Sequence, residues 1–135
     1  MNKFVIATVS VFLAWSFLDF IVHGLLLAGS YADTASLWRP QPEMKLGLIS
    51  LTTLASAAGF SAIYKFLVNS GSQRTGIIYG LLFAMATGVA AGPGVYAVMP
   101  VPMGLGLAWM AAVFVEGLLG GLIVAGITGI GEHDD

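Results

Sequence analysis

A chain of 135 residues that is 58% hydrophobic and only 9% charged, with a mean hydropathy of +0.92, stands far from the soluble average of about 25% charged, which excludes an ordinary soluble domain. Its net charge is −2 and its five Lys and Arg residues form no cluster, which excludes nucleic acid as a partner. It has no cysteine, which excludes disulfides and thiolate metal sites.

Apolar runs of about 18 residues or more read as membrane-crossing helices. Four are present, over residues 4–28, 46–68, 76–98 and 105–130. They predict an all-α, four-transmembrane-helix bundle that makes residues 1–135 a single integral membrane domain, with the lipid bilayer as its first partner. Little chain is left for an extramembrane catalytic domain, so no catalytic activity of its own is expected.

The first run follows Met-Asn-Lys and imitates a secretory signal, but it is about twice the length of a signal core and contains Asp19 and His23. These two lie four residues apart, on one helix face with Phe12 and Trp15. Gly29 suits the end of this helix. Ser30 and Asp33 form an S-x-x-D capping signature, which predicts a short interfacial helix from Tyr31 to about Trp38. Pro40 and Pro42 stop it. Tyr31, Trp38 and Arg39 then form an interfacial loop at headgroup level, and Glu43 is expected in the first turn of the second span.

The second span offers Ser50, Thr53 and Ser56 as hydroxyl partners for a buried polar group. The polar stretch from Asn69 to Arg74 makes spans two and three antiparallel neighbours. In span three, Gly76, Gly80, Ala84, Gly88 and Gly92 recur every four residues, followed by Tyr96. Such a stripe lets another helix backbone approach closely. Gly117 and Gly121 supply a matching pair in span four. The stripes either pack the four helices of one chain or join neighbouring subunits. Gly92-Pro93-Gly94 predicts a kink or a locally unwound turn, and the apolar connector from Met99 to Gly104 is expected to lie in the membrane interface.

Lys3, Lys65 and Arg74 fall on one side and Arg39 and Lys45 on the other. By the positive-inside rule this predicts a multi-pass protein with both termini in the cytoplasm. The acidic tail Glu132-His133-Asp134-Asp135 adds nothing to that rule.

Asp19, His23 and Glu116 are the ionisable groups set within the spans. A charge at the bilayer centre costs roughly 2.5–3.5 kcal/mol on insertion scales, so such residues face a protein interior or a wet cavity. They are read here as buried polar groups. If spans one and four are adjacent, the three can converge, either gluing helices together or forming a proton relay. One imidazole and two carboxylates also make a conceivable metal set. His23 beside Gly24 could hold a haem or pigment, although the sequence requires no cofactor.

These features point first to an accessory or structural subunit of a larger membrane complex, associating with other subunits or with itself. The alternative is a homo-oligomeric proton-coupled carrier or ion-handling protein using Asp19, His23 and Glu116. A third is a module holding a metal, haem or pigment.

Overall fold

The computed structural model describes residues 2–130; the acidic tail, with His133, lies outside the described residues. The chain is an all-α bundle with four helices long and apolar enough to cross a membrane. These are α1 (Lys3–Leu26), α3 (Leu46–Val68), α4 (Gln73–Val98) and α5 (Met103–Gly129). A short helix, α2 (Ala28–Asp33), follows α1. Every span bound lies within three residues of the run seen in the sequence.

The helix ends have local causes. Asn2 caps α1, its side-chain oxygen accepting from the Phe4 amide at 3.0 Å. Asn69 takes the left-handed conformation (φ 44°) that ends α3, and Ser72 caps α4. Lys3 reaches across to the far end of α5, donating to the carbonyls of Thr128 at 2.9 Å and Ile130 at 2.6 Å.

The interfacial segment differs from expectation. α1 stops at Leu26, Gly29 lies inside α2, and α2 begins two residues before Ser30 without a side-chain cap. The Ser30 carbonyl instead accepts from the Thr34 hydroxyl at 2.7 Å. The stretch up to Trp38 continues as a 3-10 turn, Ala35–Leu37, and a second turn, Gln41–Glu43, holds Glu43 ahead of α3. Pro40 and Pro42 account for this, since neither can donate to a continuous helix.

α1 packs beside α3 and α5, and α4 lies along α5. The α4–α5 seam is the closest. A Cβ on Gly76 or Gly80 would run into the main-chain carbonyl of Gly121 or Gly117, and one on Gly117 would stand 2.8 Å from the Ala84 Cβ. Gly92 meets Gly106 in the same way, and a Cβ on Gly88 would stand 3.2 Å from Val113. The four-residue stripe is therefore used within the chain, backbone against backbone.

Spans three and four of the sequence are thus in main-chain contact, whereas α3 and α4 meet through rings. Phe60 lies 4.6 Å from Tyr79 and 4.9 Å, perpendicular, from Phe83. The Tyr79 hydroxyl donates to the Phe60 carbonyl at 2.6 Å. Bulky aromatics hold the two helices apart where glycines let α4 and α5 close.

The core, built on Val11, Trp15, Phe60, Tyr64 and Val124, fills the end of the bundle that holds the α3–α4 turn. At the opposite end the first half of α3 stands away from the rest, and residues 46–56 are exposed apart from a half-buried Thr53. Three spans also widen into π-helical turns, at Tyr64–Val68 at the end of α3, at Phe20–Leu26 in α1 and at Ala90–Gly94 around Pro93 in α4. Proline explains the turn in α4, because it has no N–H to give. The turn in α1 falls immediately after Asp19 and contains His23. π-turns inside helices often occur at functional sites.

Candidate functional site

Asp19, His23 and Glu116 are brought together pairwise. α1 and α5 are fixed in register by Trp15, whose indole N–H donates to the main-chain carbonyl of Glu116 at 2.8 Å. One turn further along α1, the Asp19 carboxyl neighbours that of Glu116, and the two line one cleft. His23 is the next link, with Nε2 3.7 Å from Asp19 Oδ1.

The chain of contacts continues outside the span. His23 Nδ1 and the Tyr31 hydroxyl are 2.5 Å apart, and their rings stack at 5.9 Å. Trp109 donates its indole N–H to the same hydroxyl at 2.7 Å. An indole is a donor only, so the Tyr31 oxygen accepts from Trp109 and its own proton is left for His23 Nδ1. The neutral imidazole then carries its proton on Nε2, facing Asp19. Burial pushes the Tyr31 hydroxyl above its ordinary value, the Trp109 hydrogen bond acting the other way, so Tyr31 keeps its proton at neutral pH.

Two cavities meet at Asp19. The smaller, about 240 Å³, is a cleft between α1, α3, α4 and α5, lined by Asp19 and Glu116 with the hydroxyl side chains of Thr52, Thr53, Ser56 and Thr87. The larger, about 940 Å³, is walled by the π-helical end of α1, by α2, by the loop after it and by the start of α3. Asp19, His23, Tyr31, Trp38, Arg39 and Trp109 contribute to that wall.

The polar groups are not buried in the way the sequence suggested. Asp19 and His23 side chains are 35% and 43% exposed, and Glu116 is half-buried. The cause is α3, whose first half leans away and leaves the carboxyls on the wall of an open cleft. Of the expected hydroxyl partners, Thr53 and Ser56 line that cleft and Ser50 does not. Thr53 bonds its own helix, donating to the Ile49 carbonyl at 3.1 Å.

Among the described residues there is no group of three or more His, Asp and Glu able to hold a metal ion. Asp19 touches both His23 and Glu116, but the three do not converge on a common point. The space beside His23 foreseen at Gly24 is part of the large cavity, where a Cβ would sit 3.4 Å from the Phe20 ring.

Tyr31, Trp38 and Arg39 lie together on the cavity wall rather than as separate anchors. Trp109 was missed as a site residue, and so were the hydroxyls of Thr52 and Thr87. Trp109 carried a signal: it lies seven residues before Glu116, and therefore on the same helix face. Comparison with known families, curated proteins and solved structures finds no match to this chain.

Proposed function

We propose that the chain is a proton-handling membrane protein, in which the Asp19–Glu116 carboxyl pair takes up and releases a proton through His23 and Tyr31. The observation that carries this reading is the succession of neighbouring side chains Glu116, Asp19, His23, Tyr31, set along the two cavities that meet at Asp19. Ionisable groups within a span commonly form such relays.

Each link has the chemistry to pass a proton. Two neighbouring carboxyls can share one between their oxygens. Asp19 faces Nε2 across 3.7 Å, a distance that a side-chain rotation or a single water closes. With Nε2 protonated and Nδ1 accepting from Tyr31, the ring takes the Tyr31 proton at Nδ1 as Nε2 releases its own toward Asp19; the tyrosine oxygen, which both accepts and donates, is reprotonated from the cavity, and the reverse steps return the proton.

The test is proton flux in liposomes holding the purified full chain, with an internal pH dye and an imposed potassium diffusion potential. Wild type should carry a proton current, and Glu116→Gln and Asp19→Asn should each abolish it while helix content by circular dichroism stays unchanged. A wild-type protein without flux, or variants that conduct equally well, would sink the proposal.

A second reading is a subunit of a larger membrane complex. It is supported by the first half of α3, which carries Ser50, Thr52 and Ser56 on faces that the chain itself leaves uncovered. Native mass spectrometry of the protein drawn gently from its own membrane distinguishes defined partners from a lone chain or a homomer.

A further inference from the structure

The wall of the larger cavity presents aromatic rings whose polar atoms are already engaged. Trp38 donates its N–H to the Thr34 hydroxyl at 2.8 Å, and Trp109 donates to Tyr31. The Tyr31 hydroxyl is taken up by Trp109 and His23. What these residues offer an occupant is ring surface. Tyr31 and Trp38 stand edge to face at 5.6 Å and 90°, and Trp38 and Trp109 at 6.0 Å and 77°, so the three form a corner of nearly perpendicular aromatic planes. The polar groups in the wall that can meet a charged end are the Asp19 carboxyl, which also faces His23 Nε2, the Gln41 amide and Arg39.

We propose that this cavity binds a lipophilic organic cation, its charge set in the Tyr31–Trp38–Trp109 corner near Asp19 and its apolar body toward Phe20, Leu46 and Ile49. Aromatic faces attract cations through the ring quadrupole, most strongly when desolvated, and a carboxylate completes the recognition. Phe20, Leu46 and Ile49 line the same cavity and are 61%, 66% and 52% exposed, which gives a greasy molecule an apolar approach. The volume of about 940 Å³ lies within the range of small-molecule sites. Asp19 belongs to both the cavity and the carboxyl pair, so this inference deepens the proton-handling reading by naming the substrate class that would exchange with the proton.

The charged groups in the wall give the proposal its signature. Asp19 attracts the ligand, with Glu116 behind it, whereas Arg39 repels it and makes no ion pair among the described residues. His23 is neutral or repulsive according to its protonation.

The experiment is equilibrium binding of radiolabelled tetraphenylphosphonium, which has no proton to lose, to the full chain in lipid nanodiscs at fixed pH. Saturable binding of one cation per chain is expected, weakened about tenfold or more in Asp19→Asn and in Trp38→Ala. Trp38→Phe, which keeps a ring, should restore most of the affinity, and Arg39→Gln should tighten it. Absence of saturable binding, equal competition by the neutral isostere tetraphenylmethane, or unchanged affinity in both weakening variants would overturn the proposal. Proton flux is read separately. Flux that depends on Glu116 without cation binding removes only the cation site, and cation binding without such flux removes only the relay.

Discussion

The Trp15 indole and the main-chain carbonyl of Glu116 are joined by a 2.8 Å hydrogen bond that ties α1 to α5 one turn from the Asp19–Glu116 contact. The Trp15 ring also packs edge-on to Phe60 at 5.2 Å and stacks with Phe83 at 6.4 Å. Register and core packing are therefore set by one side chain. Trp15→Phe keeps most of the packing and removes the donor. It should cost about 1 kcal/mol, the net worth of such a bond, and should weaken proton flux beyond what the stability loss explains. Unfolding in mixed micelles and flux on the same preparation test the two effects.

The α4–α5 seam makes a second prediction that separates fit from propensity. At Gly80 a new Cβ meets the Gly117 carbonyl, main-chain atoms that cannot turn aside, whereas at Gly59 it meets nothing within 4 Å. Gly80→Ala should destabilise by about 1–3 kcal/mol through overpacking. Gly59→Ala should be neutral or stabilise by up to about 1 kcal/mol, from helix propensity alone. Equal effects in a detergent unfolding titration would show that α4 and α5 do not close in this manner.

The four spans were legible because bilayer thickness fixes helix length and hydrocarbon demands apolar side chains. Residues such as Gly76 and Gly80 were legible as a close-packing stripe, but the partner was not. Four-residue spacing states that a backbone can approach and does not say which one. The end of α1 could not be foreseen, since the π-turn at Phe20–Leu26 contains no proline to mark it. Asp19, His23 and Glu116 announced themselves as ionisable groups in apolar runs, yet their exposure depended on the lean of α3, a property of helix arrangement. Tyr31 was read as a headgroup anchor because nothing in sequence joins it to His23, eight residues away across a helix break, or to Trp109.

Tyr31 gives a prediction with a defined sign. Its hydroxyl is held above the ordinary value of 10.0, chiefly by burial, so the folded protein favours the protonated form more than the unfolded chain does. That stability is fully present below pH 10 and is lost as pH rises through the higher folded-state value. Wild type should lose stability above pH 10 more steeply than Tyr31→Phe, which has no hydroxyl to ionise. Parallel pH titrations of unfolding midpoints measure the difference, and coincident curves would show that Tyr31 is not held in this environment.

The carboxyl pair makes the last prediction, through its non-additivity. If Asp19 and Glu116 share a proton, each single replacement leaves one carboxyl that must hold a proton of its own or carry a charge, whereas the double replacement leaves an uncharged amide pair that can bond to itself. Asn and Gln carry both donors and acceptors. Asp19→Asn with Glu116→Gln should therefore be less destabilised than the sum of the single changes, with a coupling of about 0.5–3 kcal/mol, the range for residues in contact. Its proton flux should stay abolished, because amides do not exchange protons as carboxyls do. Stability recovered without flux separates the structural part of the pair from its proton chemistry. Additive losses would place the two carboxyls out of contact, and recovered flux would place the moving proton elsewhere.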